Sequence, residues 1–369
     1  MPSAEFRLYF DNAPASEEQL GAFAAIRIEQ AIGMAAAAEL EVSLATDDAG
    51  EWIGFDDAYA QPFTRVRVEI KVGEGAFVPL IEGPVVGQRF ELDAKPDASR
   101  LVIVAHDDSV LLDREEKVVV FENQPPARIV SKLLEEPGLS SRVSERLPDA
   151  GAALERYIVQ RGTNMQLLRV LARRFGMFVY VEPGKQPGRS VGVFEVPSAH
   201  DESLPDLILL GEERNIGSFS AEFDALRPLA PKAASVKAID KQSVSAAASA
   251  ANLAPLGEES VHALVSAPTT LLAHTREEQS DLDAATLAVA NLSSWAYSAS
   301  GEVDNDLYPA VLRPYRKLRV RGVGPQLSGD YLVTRVSHHI DYSGYRQQFS
   351  LSRNARSAAA GGGPLPGTF

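Results

Sequence analysis

Arg65-Val66-Arg67-Val68-Glu69-Ile70-Lys71-Val72 alternates charged and β-branched residues with the two-residue period of a strand. Neighbouring side chains on a strand point to opposite faces, so Val66, Val68, Ile70 and Val72 are expected in a core and the four charges in solvent. Working outward, Glu39-Leu40-Glu41-Val42-Ser43-Leu44 repeats the pattern, and so does Arg89-Phe90-Glu91-Leu92 after a break at Gly83-Pro84. Short strands separated by Gly, Pro and Asp turns favour a barrel or sandwich over a parallel α/β sheet.

Beyond Leu101-Val102-Ile103-Val104-Ala105 the character changes. Pro125-Pro126 sits where a helix can start, and Ile129, Val130, Leu133 and Leu134 form an apolar stripe at helical spacing. A second helix is marked by Thr163 and Gln166 at capping-box spacing, an apolar face of Leu167, Leu168, Leu171 and Phe175, and a stop at Gly176. Met177 to Glu182 returns as a strand. β character resumes from Phe219, with Ser235 to Asp240 alternating. The small-residue run Ser243 to Ala251 reads as a linker or weak helix. Ser280 to Ser298 predicts a helix, and strands follow at Lys317–Arg321, Tyr331–Val336 and Gln347–Ser352.

The expected architecture is therefore mainly β with α+β: two antiparallel β-barrel domains flanking an α+β domain, with a partly helical insertion in the second barrel. The boundaries are 1–105 for the first barrel, 106–205 for the α+β domain, and 206–242 with 310–355 for the second barrel. Residues 243–309 form the linker and helical insertion, and 356–369 a flexible Gly/Pro tail.

With 45% hydrophobic and 23% charged residues, most of the 369-residue chain should fold into several cores. A net charge of −14 argues against a nucleic-acid-binding surface, which needs clustered Lys and Arg. The absence of cysteine excludes disulfides, Cys-based zinc sites and thiol nucleophiles. The N-terminus lacks a basic region followed by an apolar run, and no segment has the roughly 20 apolar residues that span a bilayer.

No catalytic, cofactor-binding or metal-binding residues are nominated. His338-His339 lies on a strand pattern, which points the two rings apart. His106-Asp107-Asp108 resembles the His-Asp pair of metal-dependent phosphohydrolases, but capping of a short helix around Val110 to Leu112 by Asp107 or Asp108 explains it better. Gly322-Val323-Gly324-Pro325 lacks a third glycine at dinucleotide spacing and reads as a hairpin loop. Glu135-Glu136 and Glu277-Glu278 read as solvated charges, and Asn291-Leu292-Ser293 as an accidental glycosylation match.

Two segments carry a family resemblance. Tyr157 to Tyr180 (YIVQRGTNMQLLRVLARRFGMFVY) joins a strand, a short helix ending in Gly176, and another strand. Gly329 to His339 (GDYLVTRVSHH) is answered by Gly344 to Asn354 (GYRQQFSLSRN) as a closing hairpin. Both resemble phage late control protein D, the baseplate hub of contractile tails, and the hub part of type VI secretion valine-glycine-repeat spike proteins.

The resemblance implies a non-enzymatic virion structural protein, made in the host cytoplasm and built into the baseplate of a phage tail or related injection particle. It implies a homotrimer whose paired barrels make a pseudo-six-fold ring, joining the six-fold tail tube to a three-fold spike. The partners implied are the tail tube protein, baseplate wedge proteins, the tape measure protein and a spike. The chain stops after the closing hairpin, so that spike is expected to be a separate trimeric polypeptide. No cofactor and no membrane are implied, and nucleic acid enters only as cargo passing a lumen expected to be acidic. A tail-tip cell-wall hydrolase and a carbohydrate-binding adhesin are the rival readings.

Overall fold

The computed structural model describes residues 4–53, 57–95, 98–145, 147, 157–196, 204–236, 241–273, 279–304 and 306–357. Mainly β structure organises these residues around three large cores.

The first unit contains β1 (Ala4–Phe10), the short helix α1 (Glu17–Ala22), β2 (Phe23–Ala31), β3 (Ala37–Ser43), β4 (Arg65–Val72), β5 (Val78–Glu91) and β6 (Arg100–His106). Leu8, Ile26, Ile28, Leu40, Val66, Val68, Ile70 and Ile103 form its core. The valine stripe of 65–72 is buried as the period dictates, but Arg67 and Glu69 are buried too, contrary to the expected solvent face. A second layer covers them, as described below. Gly83-Pro84 is not a break either, because β5 runs through it for 14 residues and bends from one sheet surface to another. α1 was not evident from periodicity; Ser16 and Gln19 cap it reciprocally.

The middle unit holds β7 (Lys117–Glu122), α2 (Pro126–Glu135), β8 (Ser140–Val143), β9 (Tyr157–Gly162), α3 (Asn164–Phe175), β10 (Phe178–Glu182) and β11 (Val191–Glu195). Pro126 stands in the first turn of α2, and Ile129, Val130, Leu133 and Leu134 are buried. α3 has the full capping box between Thr163 and Gln166, and Gly176 ends it in the left-handed conformation. Both helices share a core with Phe121, Ile158 and Phe194.

The last unit contains β12 (Ile216–Phe223), β13 (Ala230–Val236), β14 (Ser243–Ala247), β15 (Thr269–Leu272), α4 (Gln279–Ser293), β16 (Tyr297–Val303), β17 (Lys317–Arg321), β18 (Gly329–Asp341) and β19 (Gly344–Arg353). Leu207, Ile216, Leu318, Tyr331, Val336, Phe349 and Leu351 lie in its core. Two local expectations change here. Ser243–Ala247 is a strand paired with β13 rather than a linker or helix. The helix predicted to reach Ser298 ends at Ser293, and 297–303 belongs to the main sheet. Arg356 pairs with Glu259 in a short ladder, while 358–369 and 237–240 lie outside the described residues.

The first and last units are joined by one thirteen-stranded sheet. Eight of its strands run side by side in the order β12-β16-β19-β18-β2-β3-β6-β5, every neighbour antiparallel. Taken in chain order within each unit, both sets of four follow the sequence first, second, fourth, third. The last unit's third strand, β18, pairs with the first unit's first strand, β2, over seven residue pairs from Arg335↔Ala31 to Asp341↔Ala25.

The repetition extends to irregularities. β5 and β18 are each bulged one residue past a valine, between Val85 and Gly87 and between Val333 and Arg335. β2 and β12 are each bulged at their start, between Phe23 and Ala25 and between Ile216 and Ser218. Phe63 and Tyr315 both take positive φ, 68° and 64°, and their N–H groups bond to Val85 O and Val333 O. The two units are one topology used twice in the same direction.

Candidate functional site: a polar sheet face with two open edges

One face of the eight-stranded run packs on the cores of the two units. The other face is largely polar, with Val102 and Val104 of β6 as an apolar island among the charges. It carries Glu29, Glu39, Glu41, Glu91, Glu222, Glu302 and Asp341 among five arginines, Arg27, Arg89, Arg100, Arg335 and Arg346. Many charges neutralise one another across strands: Arg335 meets Glu29 at 2.9 Å, Arg100 meets Glu91 at 2.5 Å, and Arg346 meets Asp341 at 2.6 Å. Ser218, Ser220, Ser298, Ser300, Ser337, Ser350 and Ser352 give the last unit's part a hydroxyl surface. The face has a small acidic excess, and its pairs are exposed or half-exposed and individually weak.

Both ends of this run are open among the described residues. β12 is paired only on its β16 side, and β5 beyond Val85 only on its β6 side. An open edge offers unpaired backbone groups to another strand. Val86 and Phe90 are exposed on the β5 edge, as is Leu92 just past its end.

A buried charged junction fixes the three units relative to one another. Arg67 bonds Glu69 Oε1 at 2.8 Å and Glu82 Oε2 at 2.6 Å, all three being almost inaccessible. The Gly188 N–H of the middle unit donates to Glu82, and Ser190 Oγ donates to Asp108, which also holds Arg65 in a two-pronged pair. Beside it, Tyr315 stacks on Tyr180 with centroids 3.6 Å apart, and its hydroxyl accepts from Gly33 N–H. Burial would raise the Glu182 carboxyl, but Arg316 and Arg142 outweigh it and hold it below its ordinary value. A cavity of about 800 Å³ opens here, lined by Arg67, Glu69, Phe77, Arg142, Glu182, Lys185, Arg313 and Arg316.

The residues weighed for chemistry fall into structural places. His338 is fully buried between Tyr345 Oη and Gln30 Oε1, and burial pushes it down to about 3. His339 points the other way, to Asp341. Asp107 caps the 3-10 helix Asp108–Asp113 and accepts from Ala36 N–H, and burial raises it to about 6. Gly322 to Pro325 lies in the β17–β18 loop, and Asn291 and Ser293 are buried on α4. Glu135 and Glu136 close α2, where Glu136 pairs with Lys117, while Glu277-Glu278 lies outside the described residues. Among the described residues no group of His, Asp and Glu has the arrangement to hold a metal. What sequence reasoning missed is the polar face, because it exists only once strands far apart in sequence lie side by side.

Comparison with known proteins agrees with this architecture. The family model described as phage tail baseplate hub matches residues 80–344. A 43 kDa tail protein of prophage MuSo2 from Shewanella oneidensis superposes with a TM-score of 0.65 at 15% identity, covering 95% of this chain and 98% of that one. A tail protein from Neisseria meningitidis MC58 gives 0.61 at 13% identity, covering 95% and 97%. A type VI secretion component from E. coli gives 0.53 at 11% identity, covering 97% and 80%. No curated protein matches significantly by sequence.

Proposed function

The chain belongs to the phage tail baseplate hub family, and from that premise we propose that three copies close into a ring that adapts a six-fold tail tube to a separate three-fold spike. The observation that carries this reading is the repeated four-strand topology. Each chain supplies two similar sheets in the same direction, so three chains supply six, and a head-to-tail contact repeated around an axis closes. The tube would meet the six-fold side of such a ring, and the spike would bind the side where the two units of a chain differ. Baseplate wedge proteins would contact its outside, and the tape measure protein its lumen.

The polar face would line the channel, because the opposite face is occupied by each unit's own core. Its small acidic excess, spread among serines and paired charges, supports passage of DNA without adhesion. The role is structural rather than catalytic. In the junction cavity arginines hold both carboxylates, Glu69 by Arg67 and Glu182 by Arg316, and Glu182 is kept below its ordinary value.

Native mass measurement of the purified chain, alone and mixed with its spike, tests the proposal. The expected species is a trimer, visible as a three-fold ring by electron microscopy. A monomer that persists at micromolar concentration with spike present would overturn it.

A further inference from the structure

We propose that the edge strand β5 of one copy pairs with the edge strand β12 of the next, antiparallel, in the one register that sets Arg89 opposite Glu222. This inference rests on the ring reading above and specifies its joint. The joint already exists once inside the chain, where β18 pairs with β2. β5 is the topological counterpart of β18, and β12 of β2, so the open edges are the two halves of the same joint.

The bulges fix the register. Aligning the β5 bulge on the β18 bulge makes Arg89, Phe90 and Leu92 the counterparts of Ser337, His338 and Ile340. Aligning the starting bulges of β12 and β2 makes Phe219, Ala221 and Glu222 the counterparts of Ile26, Ile28 and Glu29. In the internal joint Ser337 faces Glu29, His338 faces Ile28, and Ile340 faces Ile26. Transferred to the open edges, Arg89 faces Glu222, Phe90 faces Ala221, and Leu92 faces Phe219.

Three independent features of the edges agree with that register. His338 and Ile340 are 0% and 6% exposed in the closed joint, whereas Phe90 and Leu92, at the same positions, are 45% and 53% exposed. Both sit on the side that continues the apolar core, where Ala221 and Phe219 would cover them. Glu222 has no ion-pair partner among the described residues, whereas its counterpart Glu29 takes a diagonal partner across the closed joint, Arg335. The counterpart of Arg335 is Gly87, so Arg89 directly opposite is the cation left to meet Glu222. Among the described residues Arg89 rests only on exposed contacts of 3.4 Å to Glu39 and 3.3 Å to Glu91, which a rotation of its side chain can exchange for Glu222. β6 already fixes Phe90 on the core side, so a shift of one residue would set β12's serine and glutamate face, Ser220 and Glu222, beside it instead of Ala221 and Phe219, which is why the register is specific.

The absence of cysteine makes the test clean. Full-length Arg89→Cys/Glu222→Cys is oxidised mildly and run under denaturing, non-reducing conditions, beside Arg89→Cys/Ser220→Cys and Arg89→Cys/Ala221→Cys. Directly opposite Cβ atoms lie about 4.5–5.5 Å apart and diagonal ones about 7–8 Å, so only the first pair should form covalent dimers and trimers efficiently. In parallel, Arg89→Glu and Glu222→Arg should each weaken assembly by roughly fivefold per joint, and the double swap should restore it. Unchanged melting of the single variants shows that they fold. Trimers by native mass with cross-linking at an offset pair, or at none, discard the register and leave the ring reading standing. No assembly in any variant or in the parent, even with spike, discards both.

Discussion

Replacing Arg67 by methionine should be among the most damaging single changes in the first unit. Arg67 sits on the central strand β4 with its guanidinium between Glu69 and Glu82, which are 7% and 1% exposed. Methionine keeps most of the apolar stem but leaves Glu69 without its cation, facing Glu82, which retains only Arg65 at 3.4 Å and the Gly188 N–H. Breaking a buried pair from one side costs about 3–5 kcal/mol, chiefly as the desolvation of the charge left behind. With a urea dependence of about 2 kcal/mol per molar, the midpoint of the first unit should fall by roughly 2 M. Trp52, packed on that core, reports the transition in a Trp295→Phe background. A second variant, Arg67→Met/Glu69→Met, removes one stranded charge, while Glu82 keeps Arg65 and the Gly188 N–H. It should recover about half of the loss. A cost under about 1 kcal/mol for Arg67→Met would refute the reasoning, because it would mean that water from the adjoining cavity solvates both carboxylates.

Thr163→Ala removes the hydroxyl half of the α3 capping box and its bond to Asp113, and should cost about 1 kcal/mol by chemical denaturation. Gly83→Ala would place a Cβ 2.0 Å from His106 O and within 3 Å of Asp107 backbone, so β5 and β6 must part; about 1–3 kcal/mol or more is expected from thermal melts. His338 titrates near 6.5 when unfolded and about 3 when folded, so between these pH values the unfolded chain holds the extra proton and stability falls as pH drops. Asp107, raised from 3.8 to about 6, has the opposite sign: the folded chain holds the proton between them, and stability is gained as pH drops. His338→Gln deletes only the first effect, so from pH 7 to pH 5 it should gain about 2 kcal/mol relative to the parent, read by paired denaturant titrations.

The local elements were legible because their signals are local. The valine stripe of 65–72 and the caps of α3 state strand and helix without reference to the rest of the chain. The burial of Arg67 and Glu69 was not legible, because what covers them is a loop more than a hundred residues away, reaching Glu82 through Gly188. Ser243–Ala247 is a strand only because β13 supplies a partner, since alanine and serine have little preference for one. The repeat was hidden for another reason. Its equivalences are carried by bulges, hydrogen bonds and strand order, while side chains at matched places have diverged, as Arg27 against Ser220 and Phe90 against His338 show. No candidate site was legible either, because the polar face belongs to no single segment.

The joint between β2 and β18 also sets a clock. Its two sides are separated by about 300 residues of chain, as the bond from His338 to Gln30 across 308 positions records. Ribosomes add about 5–20 residues per second, so the β2 edge of a nascent chain waits roughly 15–60 s for its partner to emerge. During that interval β5, the fold's own copy of the missing strand, is already made. A β5 edge from a neighbouring chain can then take the place meant for β18, and the product is a swapped, open-ended polymer rather than a finished subunit. Slow synthesis and crowded polysomes should favour that trap, and rapid capture of the finished edges by assembly should relieve it.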